Sequence, residues 1–168
     1  MPPNAIEAYR LGEIRVIGAK AHPSEISRSS LGLVSGEIYD ESKLRKGFEY
    51  LKEFYGEGGY ITFLPQPVLD VDEQRKVLNL TVNIDEGSRY IFNRISFTGN
   101  TTIPDEVIRR EIRLTEGFAI NTRLLEVSRV RLNQLGLFEE IKTEDFQLMP
   151  SPDEPKVDVV LRVKEKRE

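Results

Sequence analysis

A chain of 168 residues with a net charge of −4 can hold one large domain or two small ones, and its acidic balance excludes an ordinary basic nucleic-acid surface. With no cysteine and a single histidine it has neither disulfides nor thiol chemistry. No apolar run approaches the roughly 18–20 residues of a membrane-spanning helix, and the opening MPPNAIEAYRLGE lacks the apolar stretch of a signal peptide, so the chain reads as soluble and as a piece of something larger.

Taken in chain order, the first predicted element is a strand at Glu13–Ile17, ended by a turn at Gly18. A short helix over Ser24–Leu31 follows. A second helix starts after Asp40, whose side-chain oxygen suits the free N–H groups of a first turn. Its apolar face is Leu44, Phe48, Leu51 and Tyr55, at i, i+4, i+7 and i+11. A strand is expected at Gly59–Pro65. The last strand of this half is the clearest: Leu78, Leu80, Val82 and Ile84 alternate with polar residues, as a sheet covered on one face requires.

The same series then repeats. A strand at Tyr90–Thr98 ends at Gly99-Asn100, and a helix is expected over Pro104–Leu114, with proline in a first turn whose N–H groups lack partners anyway. Asn121 caps a second helix with Leu124, Ser128, Leu132 and Leu135 on one face. Strands at Phe138–Leu148 and around Val157, Val159, Leu161 and Val163 close the unit. An offset of 81 superimposes Ile14 on Ile95, Gly18 on Gly99, Gly36 on Gly117, Asp40 on Asn121 and Leu51 on Leu132. Near the end the offset settles at 79, with Leu78 on Val157 and Ile84 on Val163. The halves divide the charge unequally: up to Gly87 there are 10 basic and 14 acidic residues, and after it 14 of each. The expected fold is α+β: two tandem β-α-α-β-β units, residues 9–87 and 88–167, each a three-stranded mixed sheet covered on one face by two helices.

The stretch ISFTGNTTIPDEVIRREIRLTEGFAINTRLLEVSRVRLNQLGLFEEI resembles the polypeptide-transport-associated (POTRA) domain, in the form found in outer-membrane protein assembly factors of the BamA type. Phe97-x-Gly99-Asn100, Arg109-Arg110-Glu111, Glu116-Gly117 and Leu135-Gly136-Leu137-Phe138 carry the resemblance, and the closing VDVVLRVKEKRE is similar to the domain nearest the barrel. The first half resembles the preceding domain through LKEFYGEGGYITF and NLTVNIDEG. Leu137-Phe138 stands where the family often has an aromatic pair, and Gly58-Gly59 lengthens one turn.

The resemblance implies a non-enzymatic module at the periplasmic face of a Gram-negative outer membrane, with no cofactor. Its β-barrel, the only route to membrane association, would follow Glu168. Such modules receive unfolded β-barrel precursors and dock accessory lipoproteins of the BamD type; nucleic acid is not a partner. The resemblance implies lipoprotein docking at Arg109, Arg113 and Glu116, with the two arginines at i, i+4 on one helix face. It implies substrate pairing along edge strands at Tyr60, Ile61, Thr62 and Phe63, and at Glu140, Ile141, Lys142 and Thr143. POTRA domains of two-partner secretion, autotransporter assembly, organelle import or cell-division scaffolds are the alternatives.

The residues with other chemical readings give them little support. His22 precedes Pro23 in a loop, without triad or metal spacing. DVDE at Asp70–Glu73 lacks the glycine and distal glutamate of a calcium loop. The glycines at 56, 58 and 59 precede no Lys-Ser/Thr of a phosphate loop. VIRREIR reads either as a solvated helix face or as a partner surface.

Overall fold

The computed structural model describes residues 9–167. They form two compact units: one runs up to Tyr55 and resumes over Thr62–Gly87, and the other combines Gly56–Ile61 with the chain from Ser88 onward.

In the first unit, β1 (Arg10–Ile17) precedes α1 (Ser24–Ser30), α2 (Glu41–Glu57), β2 (Leu64–Asp72) and β3 (Val77–Asp85). The sheet order is β1-β3-β2, with β1 parallel and β2 antiparallel to the central β3. In the second unit, β4 (Ile91–Thr98), α3 (Asp105–Arg109), α4 (Thr122–Gln134), β5 (Phe146–Pro150) and β6 (Lys156–Arg162) repeat the series, with order β4-β6-β5 and the same strand directions. The expected α+β class and mixed sheets are observed.

Alternation in the central strands decides where the cores lie. Leu78, Leu80, Val82 and Ile84 are buried in one unit; Val157, Val159, Leu161 and Val163 are buried in the other. Leu44, Leu51 and Tyr55 on α2 and Leu125, Ser128 and Leu132 on α4 are buried with them. Leu124 is only half-buried and Leu135 is 36% exposed, so the buried stripe of α4 sits slightly aside from the expected one.

The repeat extends to single hydrogen bonds. Gly36 N–H donates to Leu11 O (2.7 Å), and Gly117 N–H to Phe92 O (2.9 Å). Tyr39 N–H donates to Tyr9 O (2.8 Å), and Ile120 N–H to Tyr90 O (3.0 Å). Asp40 Oδ1 accepts from Ser42 N–H (2.9 Å) and Asn121 Oδ1 from Arg123 N–H (3.0 Å), so both N-caps form as expected. Gly18 and Gly99 have φ +97° and +92°, and a Cβ at either would collide with the carbonyl oxygen of Ile84 or Val163. Only glycine fits that turn, on both counts.

Candidate functional site

The second unit's surface is built outward from β4. Asn100 Nδ2 donates to Ile103 O (2.9 Å) and Asp105 Oδ1 (2.7 Å), shaping the loop that enters α3. Arg109, the last residue of α3, lays its guanidinium over the Phe97 ring at 5.1 Å. Helix α3 ends there, five residues short of the expected Leu114. Tertiary bonds peel the chain away. Arg113 N–H donates to the buried Ser128 Oγ (2.8 Å), which in turn donates to Leu124 O (2.7 Å). Glu111 turns to Arg131 (2.9 Å).

The i, i+4 relation of Arg109 and Arg113 is therefore not a helical one. Arg113 lies beyond the helix, and its Nη1 donates to Arg110 O (3.2 Å). Glu116 opens the turn at Gly117, which has φ +85°. All three residues are exposed, and among the described residues none of them makes an ion pair within 4.0 Å. A local Arg113–Glu116 pair, the plain alternative to docking, is not formed.

The sheet edges lie elsewhere than expected. β2 does end its sheet, but it begins at Leu64. Tyr60, Ile61, Thr62 and Phe63 precede it in a turn. Phe63 is a core residue, stacked on Tyr55 at 4.2 Å, and Ile61 packs against the second unit's core. The second unit departs further. Ile141 is buried, with its N–H donating to Asn133 Oδ1 (2.9 Å) and its carbonyl accepting from Asn133 Nδ2 (3.0 Å). Lys142 N–H donates to Asp145 Oδ2 (2.8 Å), and Thr143 Oγ1 to Glu126 Oε1 (2.6 Å). Glu140 sits between these attachments and the isolated bridge of Phe138 with Glu165. Ile141 and Thr143 are thus tied to α4 and Lys142 bonds back to Asp145, so residues 140–143 form no strand, and β5 starts only at Phe146.

Two prolines narrow the open edge of β2. Pro65 and Pro67 are in register with Ile84 and Val82. A proline in a paired strand must turn its nitrogen away from the ladder. Antiparallel bonding directions alternate, so Leu69 and Val71 share that outward side and supply its remaining N–H donors.

Two carboxylates missed in the sequence organise the loops behind these surfaces. Glu165 accepts from Thr102 N–H (2.8 Å), Ile103 N–H (2.7 Å), Thr101 Oγ1 (3.1 Å) and Thr102 Oγ1 (2.8 Å). These bonds, the Ile103 amide first, hold its pKa down at about 2. Glu86 is buried, which by itself would raise its pKa, yet hydrogen bonds from Ala21 N–H (2.9 Å) and Tyr55 OH (2.8 Å) bring the net shift below the ordinary value. The signal was available: the offset of 79 that pairs Ile84 with Val163 also pairs Glu86 with Glu165. His22 is half-buried, with its ring 4.7 Å from Phe54 and 5.4 Å from Tyr55. Asp70 and Asp72 lie within β2, and the turn before β3 is residues 73–76.

The family model for the POTRA domain, described as surface antigen variable number repeat, matches residues 9–87 and again residues 90–166. The chain belongs to the POTRA family. It is 29% identical over 157 residues to the outer membrane protein assembly factor BamA of Buchnera aphidicola, covering 94% of this chain and 25% of the relative. It is 26% identical over 163 residues to BamA of Neisseria meningitidis, covering 94% and 20%. The chain thus spans a quarter or less of these relatives' length. The crystal structure of Haemophilus influenzae BamA POTRA3-5 matches with TM-score 0.83 and 31% identity over 94% of this chain and 61% of that one. BamA from Haemophilus ducreyi lacking POTRA domains 1-3 shares the fold, with TM-score 0.78 and 23% identity over 94% and 30%. The two units are tandem POTRA domains like those of BamA.

Proposed function

We propose that this POTRA pair is the periplasmic docking module of a BamA-like factor that assembles β-barrel proteins in the outer membrane, and that its two domains are the ones nearest the barrel. It works by binding and positioning, without reaction chemistry or a cofactor. Unfolded β-barrel precursors add transiently to an open sheet edge. That mode reads main chain rather than sequence and so serves many substrates. The strand arrangement favours the outer edge of β2 around Leu69 and Val71, and not residues 60–63 or 140–143.

Accessory lipoproteins of the BamD type dock on Arg109, Arg113 and Glu116. The observation that carries this reading is that these exposed charges, of both signs, have no ion-pair partner among the described residues. Arginine forks suit a partner's carboxylates, and Glu116 beside them fixes register and rejects mismatched surfaces. Charge reversal tests it. Glu116→Lys should shift stability by less than about 0.5 kcal/mol and should abolish or greatly weaken capture of the lipoprotein in a pull-down. Undiminished capture by the folded variant would return this surface to plain solvation.

A further inference from the structure

Glu165 lies just past β6, and the main chain there is held on two sides. Val163 N–H donates to Thr98 O (2.9 Å), Glu139 N–H to Lys164 O (2.8 Å), and Lys166 N–H to Leu137 O (3.0 Å). From this strap the Glu165 side chain crosses to the loop over Thr101–Ile103 and accepts four hydrogen bonds. Two residues on, that loop becomes α3, which ends in Arg109 on the Phe97 ring. One carboxylate thus ties the segment leaving the sheet to the loop that sets where α3 begins. The first unit carries the same device at the same place: Glu86, just past β3, holds Ala21 N–H in the loop before α1, with Tyr55 OH as a further donor. Its recurrence at both exits makes it part of the repeat and not an accident of one loop.

We propose that Glu165 is a positioning residue that couples the main chain beyond β6 to the Arg109 helix, so that displacing residues 163–167 shifts the surface formed by Arg109 and Phe97. The coupling works through geometry. Both Thr102 and Ile103 amides point at one carboxylate, so the loop follows that carboxylate when the strap moves. A consequence for docking rests on the reading of the Arg109 surface given above; the coupling itself does not, and it is measured without any partner.

The test is amide hydrogen exchange and chemical-shift mapping on the isotopically labelled 168-residue chain, comparing wild type with Glu165→Gln and Glu165→Asp. A hydrogen bond to a charged group is strong enough that its loss should accelerate exchange at Thr102 and Ile103 at least about tenfold. The Phe97 ring and the Arg109 amide should shift, while Val159 and Leu161 keep their protection. Aspartate, one methylene shorter, cannot reach both amides from the same strap and should behave like glutamine. A second arm displaces the strap: Lys166→Pro removes the donor to Leu137 O. It should shift the Thr102–Arg109 amides when Glu165 is present and leave them in place in the Glu165→Gln background, a coupling read as a double-mutant cycle. Unchanged exchange at Thr102 and Ile103 in Glu165→Gln would overturn the proposal. So would full rescue by aspartate, equal loss of protection at Val159 and Leu161, or Lys166→Pro shifts that persist without Glu165.

Discussion

Glu165 has an ordinary carboxyl environment in an unfolded chain and a well-furnished one in the folded unit. Its pKa falls from 4.5 to about 2, chiefly through the Ile103 amide, with the Thr102 and Thr101 bonds adding to it. A depressed folded-state pKa means the unfolded chain binds the proton first as pH drops. The stabilisation Glu165 gives is therefore fully present above about pH 4.5 and is lost as pH falls toward 2. Glu165→Gln should be less stable than wild type at neutral pH, with the difference closing across that window. Denaturation at a series of pH values checks this, and a gap independent of pH would contradict it. Nothing local in LRVKEKRE marks this glutamate, because its partners lie over sixty residues away; only the repeat offset points to it.

The elements that the sequence made plain are those whose side chains alternate or cap locally. β3 and β6 were legible because every second residue is aliphatic, and α2 and α4 because Asp40 and Asn121 stand where their oxygens meet first-turn amides. The displaced elements are those decided at a distance. Tyr60–Phe63 has the alternation of a strand, but Phe63 is drawn into the core beside Tyr55, and the strand that forms begins at Leu64 despite two prolines. Ile141 looks like a strand residue until Asn133 takes both its backbone groups. Arg110–Leu114 has helical character until Ser128 claims the Arg113 amide. The first unit solves that last contact differently. Its residue in the place of Ser128 is Gly47, where a Cβ would stand 2.7 Å from Leu31 Cα and 3.0 Å from its carbonyl oxygen. Alanine would gain up to about 1 kcal/mol of helix propensity, but backbone cannot yield as a side chain can, and overpacking costs about 1–3 kcal/mol. Gly47→Ala should thus lower the unfolding free energy by about 1–2 kcal/mol, seen as an earlier urea midpoint with an unchanged slope. A stabilised variant would show that the α2 contact is looser than its geometry.

At the scale of the whole chain, the two units are repeats with separate cores. The second core draws its buried members from Phe92 through Val163, with Ile61 only packed partly buried against it. Residues 88–168 should fold alone into a cooperative unit, giving dispersed amide spectra and a single unfolding transition; a disordered fragment would contradict the separateness of the cores. The proposed receipt of an unfolded strand asks only that a sheet end in an accessible main chain. β1 and β2 end one sheet and β4 and β5 the other. The starts of β1 and β4 already bond the segments at residues 37–39 and 118–120, which leaves β2 and β5 the freer edges. The most direct measurement is an NMR titration of the labelled chain with an extended peptide from an outer-membrane β-barrel strand. One strand's pairing with little side-chain anchoring should be weak, roughly high micromolar to millimolar. The largest shifts should follow the outer edge of β2 at Leu69 and Val71, with residues 140–143 unmoved. Shifts confined to the helices, or none as the peptide reaches millimolar concentration, would contradict the proposed strand addition.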